Sequence, residues 1–140
     1  MRKIGLDVGS RRTGVALSDA LCVTAQPFTT IYRSNFDDEV KTLRKLIEDH
    51  NVNEVIVGIP YSLNGTVGPQ AQLVIDYIAK LRDNLNIPVL EWDERLTTVL
   101  AERSLASANL SHNKKKKLVD KVAAALILQS YLDSVQKKGR

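Results

Sequence analysis

The run Ile4-Gly5-Leu6-Asp7-Val8 near the N-terminus constrains the fold more than any other stretch of the chain. It is short and apolar and ends in Gly9-Ser10, which reads as a strand buried in the middle of a sheet. Asp7 is the misfit, because an ionised carboxylate in a buried strand is costly unless something positive meets it. Two readings stay open here. Asp7 either ends a strand and bonds the following turn, or it offers its carboxylate to a metal ion, or to a phosphate through one.

The remaining elements follow in order. Gly9 to Gly14 is a polar turn, and Val15 to Asp19 reads as a second strand, antiparallel to the first because the connection is so short. A third strand is expected between Val23 and Ile31, with Pro27 at an edge or a break. Phe36-Asp37-Asp38 opens a helix that an Asp caps, with Val40, Leu43, Leu46 and Ile47 at helical spacing and Asn51 as its stop. Glu54 to Pro60 is a second buried strand, and the loop Tyr61 to Gly68 carries Asn64-Gly65. Pro69 suits the first turn of a helix whose inner face is Leu73, Tyr77, Ile78, Leu81 and Leu85. Pro88 to Trp92 is a further strand, closed by Asp93-Glu94-Arg95. Thr97 or Thr98 is expected to cap a helix reaching Ala108, followed by a basic loop from Asn109 to Lys117. The last helix is expected over 117–135, with Val122, Ala125, Leu126, Gln129 and Leu132 on one face, and 137–140 as a mobile basic tail.

Antiparallel strands first and strand–helix alternation afterwards predict an α/β fold: a mixed five-stranded sheet with helices on both faces, in one domain over 1–136. Ligands of such sheets gather at the carboxyl ends of the parallel strands, where Asp7, Gly58-Ile59-Pro60 and Asp93-Glu94 all fall.

Composition narrows the setting. The 140 residues include one cysteine, Cys22, which excludes an internal disulfide and a cysteine-rich metal site. No apolar run approaches the ~18 residues of a membrane span, and a secretory leader is not evident, so a cytoplasmic protein is expected. The 20 Lys and Arg against 16 Asp and Glu give a net charge of +4, too mild to imply nucleic-acid binding by itself. Its distribution is more telling. Arg11 and Arg12 follow the first strand, and Lys114, Lys115, Lys116 and Lys117 form an unbroken run just before Asp120, which places positive charge where a phosphate backbone would lie.

Asp7, the pair Asp93-Glu94 and Asp120 are the acids the topology can bring together. Carboxylates so gathered repel one another, and a divalent cation relieves the repulsion. Mg²⁺ prefers oxygen ligands and bridges to substrate phosphates, and two such ions about 4 Å apart would stabilise both oxygens of a phosphodiester displacement.

Six ordered segments then carry a resemblance: Gly5-Leu6-Asp7-Val8-Gly9, Gly14-Val15-Ala16-Leu17-Ser18-Asp19, Val57-Gly58-Ile59-Pro60, Asn64-Gly65-Thr66-Val67-Gly68, Asp93-Glu94-Arg95-Leu96-Thr97-Thr98, and the stretch from Asp120 to Gln129. Together they resemble the YqgF (RuvX) family, bacterial proteins of the RNase H-like fold related to the RuvC Holliday junction resolvases. The resemblance implies a three-layer α/β/α fold and a Mg²⁺- or Mn²⁺-dependent nuclease that matures the 5′ end of 16S rRNA, with Holliday junction cleavage as the alternative. It implies Asp7, Glu94 and Asp120 as catalytic metal ligands, with Asp93 in reserve. RuvC resolvases carry a second acid close by on the last helix; here Asp120 stands without one, since Asp133 lies far down. Arg11, Arg12, Arg95 and Lys114 to Lys117 are the expected nucleic-acid contacts, on a monomer or weak homodimer.

Two other classes remain. Gly5 to Ser10 also resembles the first phosphate loop of actin-like and sugar-kinase ATPases, but those enclose nucleotide between two domains and 140 residues supply one. A non-catalytic RNA-binding module is disfavoured by the acids, which repel a phosphate backbone unless a metal intervenes.

Overall fold

The computed structural model describes the backbone of residues 1–95 and 112–138, with side chains for 1–95 and 120–136. Its elements are β1 (Arg2–Val8), β2 (Arg12–Ser18), β3 (Ala25–Tyr32), α1 (Phe36–Asp49), β4 (Val52–Ile59), α2 (Pro69–Asn84), β5 (Val89–Asp93) and α3 (His112–Lys138). The strands form one sheet in the order β3-β2-β1-β4-β5. β2 pairs antiparallel with both β1 and β3, whereas β1–β4 and β4–β5 are parallel. β1 is therefore the central strand, as its apolar run requires, and the mixed α/β sheet is the expected one.

Two cores lie on opposite faces. Ile4, Leu6, Val8, Val15, Val55, Val57 and Ile59 pack with Val40 and Leu43 of α1 and with Val74, Ile78 and Leu81 of α2. Ala16 and Ile56 on the other face meet Ala124, Ala125, Ile127, Leu128 and Leu132 of α3. The alternation of side chains along each strand sorts the residues between these faces. Asp7 and Gly14 are register partners on the α3 side, and Val8 and Thr13 are partners on the other.

Several expectations shift in detail. Asn35 caps α1, accepting the Asp38 N–H at 2.9 Å, in place of an Asp; Asp37, Asp38 and Glu39 occupy the first turn, where they complement the helix dipole. Asn51 does mark the stop, with φ +53°. Pro27 lies on the edge strand, beside a register shift opposite Val15 and Ala16. Leu73 is exposed, and Ala71 and Val74 take the inner positions of α2 instead. The last helix begins at His112, so Lys114 to Lys117 lie on its first turns rather than in a loop; lysine is a good helix former and a run of it does not break one. Its buried face is Ala123, Ala124, Ala125, Ile127, Leu128 and Leu132, while Val122 and Leu126 are only partly buried. The helix expected over 97–108 lies outside the described residues, and the expected tail overlaps the end of α3 at 137–138. Among the described residues no helix is long and apolar enough to cross a membrane.

Candidate active site

Small residues bring α3 against the sheet. A Cβ on Gly14 would collide with the backbone of Asp120, so glycine there lets the helix carry Asp120 down onto β2. Gly58 of β4 has a different task. Its missing side chain leaves the space occupied by the Glu94 carboxyl and Ile127. Glu94, which follows β5, thereby reaches across β4 towards Asp7 on β1. The Glu94 N–H donates to the Ile59 carbonyl at 3.3 Å and anchors the residue just beyond the strand.

Asp7 and Glu94 share a side-chain hydrogen bond. Burial pushes the Asp7 carboxyl up to about 6, with the nearby Asp120 charge adding to it and the bond to Glu94 opposing. Glu94 is 7% exposed. Burial pushes its carboxyl up to about 8, and the charge of Asp7, the hydrogen bond to Asp7 and the charge of Asp93 push the same way. The two behave as one acid pair that retains a proton near neutral pH.

Asp120 belongs to the same face, but its carboxylate is held by Arg12, whose Nε donates at 2.9 Å, with both side chains about one-fifth exposed. A cationic side chain thus already neutralises one of the three acids. Asp93 is occupied elsewhere. It lies in register with Ile59, which faces the α1/α2 core, and Arg95 grips it with Nη2 at 2.6 Å and Nε at 2.9 and 3.0 Å. Arg95 holds the Asp93 carboxyl below the usual range and also reaches the Leu63 carbonyl at 3.4 Å. Arg11 is exposed in the turn after β1. The side chains of Lys114 to Lys117 lie outside the described residues.

Sequence reading missed a second buried acid. Glu39, 5% exposed, accepts from Arg33 Nε at 3.1 Å, Tyr77 Oη at 3.1 Å and the Ser34 N–H at 3.2 Å. Arg33 Nη1 in turn donates to the Gly9 carbonyl at 2.8 Å, tying this cluster to the turn beside Asp7. Nothing local marks Glu39 as buried, because it sits among acids in the first turn of a helix.

The donor set suits a hard divalent cation: carboxyl oxygens, two of them on a buried pair whose protonation reflects burial and mutual repulsion. Among the described residues no three acid, His or Cys side chains stand close enough to hold an ion without adjustment. Arg12 holds Asp120, so an ion held by all three acids would draw Asp120 off the guanidinium.

The mixed five-stranded sheet with α1 and α2 on one face and α3 on the other defines an α/β protein of the RNase H-like fold. A family model described as "RuvX: Holliday junction resolvase" matches residues 1–134. The chain belongs to the RuvX family. It is 49% identical over 135 residues to a Clostridium acetobutylicum protein named "Putative pre-16S rRNA nuclease", covering 96% of this chain and all of that one. A Caldanaerobacter subterraneus protein of the same name is 50% identical over 135 residues, covering 96% of this chain and 97% of its own. Among solved structures, the fowlpox virus resolvase bound to Holliday junction DNA superposes with TM-score 0.56 at 15% identity, over 96% of this chain and 99% of the other. Thermus thermophilus RuvC with its junction substrate gives 0.51 at 12% identity, over 96% of each chain. At such identities these two likenesses speak to the fold.

Proposed function

We propose that this chain is a metal-dependent endonuclease that cleaves phosphodiester bonds, with the precursor of 16S rRNA as its substrate and maturation of the 5′ end as its task. The buried carboxyl pair Asp7–Glu94 carries this reading. Two acids packed against each other, with a third on the same face, repel once ionised and favour whatever brings positive charge among them.

Asp7, Glu94 and Asp120 would hold Mg²⁺ or Mn²⁺. When bound, such an ion neutralises charge on the phosphate and lowers the pKa of water. The chain's own residues do the rest. Glu94 gives up the proton it shares with Asp7, and Gly58 leaves room for its carboxyl to stay beside Asp7. Arg12, released from Asp120, turns to a substrate phosphate. Arg11 and Lys114 to Lys117 hold the backbone further along, and Arg95, clamped by Asp93, supports the loop at Leu63. The protein works in the cytoplasm as a monomer or weak homodimer.

Resolution of branched DNA is the second reading, favoured by the description of the matching family model. One assay separates them: cleavage of precursor rRNA, single-stranded RNA, duplex DNA and four-way junctions, each with and without Mg²⁺ or Mn²⁺. Metal-dependent cuts in the precursor at its 5′ boundary support the rRNA reading. Cleavage confined to junctions supports the resolvase, and no cleavage of any substrate removes both.

A further inference from the structure

Asp7 and Val8 are neighbours on β1 and point to opposite faces, so whatever lies at Val8 is back to back with the acid cleft. A cavity of about 520 Å³ opens there, large enough for one nucleotide. Val8, Ser10 and Arg33 line it together with Leu73, Tyr77 and Lys80 of α2. The turn that follows β1 connects the two faces, and its Ser10 lines the cavity.

The lining has two parts. Leu73 is 64% exposed at its edge and offers an apolar side chain to a base, while Val74 and Tyr77 behind it are buried. Above it stand two cations. Arg33 lies over the Tyr77 ring, 4.9 Å from its centroid, while its Nε donates to Glu39 and its Nη1 to the Gly9 carbonyl. Lys80 makes no ion pair among the described residues; its Nζ lies 5.5 Å from the centre of the Phe36 ring. Gln70 adds a donor and an acceptor suited to a base edge, while Asp76 already accepts from Gln72 Nε2 at 2.9 Å.

We propose that this cavity takes one unpaired nucleotide of the substrate strand where the strand passes round the turn after β1, with its base against Leu73 and its phosphate at Lys80. The inference rests on the nuclease reading for the identity of the strand. Specific recognition of RNA works by splaying single bases out of the stack, and a cavity lined by the turn that follows Asp7 is suited to receive one. It would also favour single-stranded RNA over an intact duplex.

The test reads binding rather than cleavage. In an Asp7→Asn background, anisotropy of a short labelled single-stranded RNA is compared with Leu73→Glu, Lys80→Ala, Lys80→Arg and, as a control on the exposed side of α1, Lys45→Ala. A set of the same RNA with a single abasic residue stepped along it is run in parallel. Leu73→Glu and Lys80→Ala are expected to weaken binding roughly tenfold, the scale of one stacked base, while Lys80→Arg and Lys45→Ala stay near the parent. One abasic position should reproduce the loss in the parent and add nothing to it in Leu73→Glu. The proposal is overturned if both cavity variants bind every RNA as the parent does, or if the abasic loss adds fully to theirs. Binding of a free ribonucleoside monophosphate as tightly as the strand would overturn it too, making the cavity a small-molecule site. If these binding differences hold while the unsubstituted protein cleaves no nucleic acid, the nuclease reading falls and the cavity assignment stands.

Discussion

The two faces of the sheet each bury a glutamate, and they treat it oppositely. Glu39, beneath α1 and α2, is 5% exposed and meets a guanidinium, a phenol and a backbone N–H. Glu94, beneath α3, is 7% exposed and meets another acid. Burial is nearly the same, so the difference is in the company. The first arrangement braces the fold and the turn next to Asp7, whereas the second keeps a repulsion in place that only a proton or a cation relieves. The packing matches. Large branched side chains fill the first face, while glycines at 5, 14 and 58 and alanines at 123, 124 and 125 let α3 lie close over the second.

The largest effect that would break this contrast is on catalysis. Asp7→Asn should take metal-dependent cleavage below detection while raising stability in metal-free buffer by on the order of 1–3 kcal/mol near neutral pH, since it removes a charge disfavoured by burial and by the Asp120 carboxylate. Cleavage assays and urea unfolding of the same preparation check both halves. Unchanged cleavage would assign the activity to another site.

Glu39→Ala should move stability the other way. It strands the Arg33 guanidinium, 28% exposed, and the Tyr77 hydroxyl, and the loss should be about 2–4 kcal/mol by urea unfolding. A loss of similar size from Glu94→Gln would mean that the two glutamates are not opposites after all.

A pH series sharpens the comparison. Glu94 has its folded-state pKa raised from 4.5 to about 8, so the folded state binds the proton more tightly than the unfolded chain. Its contribution to stability is fully present below about 4.5 and is lost as pH rises towards 8. Metal-free protein should therefore lose stability across that window, Glu94→Gln should flatten the loss, and Mg²⁺ affinity by calorimetry should rise over the same range as protons stop competing.

The smallest expected effect is at Arg12. Its pair with Asp120 is partly solvated, so Arg12→Gln should change stability by less than about 1 kcal/mol. In RNA titrations over a salt series the same variant should lower the slope by roughly 0.7–0.9, one phosphate contact. An unaltered slope would make Arg12 a partner of Asp120 only.

Much of the fold was legible in the residues because it is set locally. The apolar run around Asp7 marks a strand in the middle of the sheet, Asn51 and Pro69 punctuate their helices, and the short turn from Gly9 to Gly14 requires an antiparallel pair. Hydrophobicity misled where it was taken without angle, as at Leu73, which lies to one side of the strip formed by Val74, Ile78 and Leu81. The six motifs brought Asp7, Glu94 and Asp120 together as candidates through family resemblance. They did not say what each acid would touch. That Glu94 crosses over Gly58 to Asp7, that Arg12 closes on Asp120 from 108 residues away, that Asp93 is spent on Arg95, and that Glu39 is buried at all are consequences of strand order and helix docking. Such contacts depend on which distant segments become neighbours, and the charge state of a buried acid depends on those neighbours rather than on its own stretch of chain.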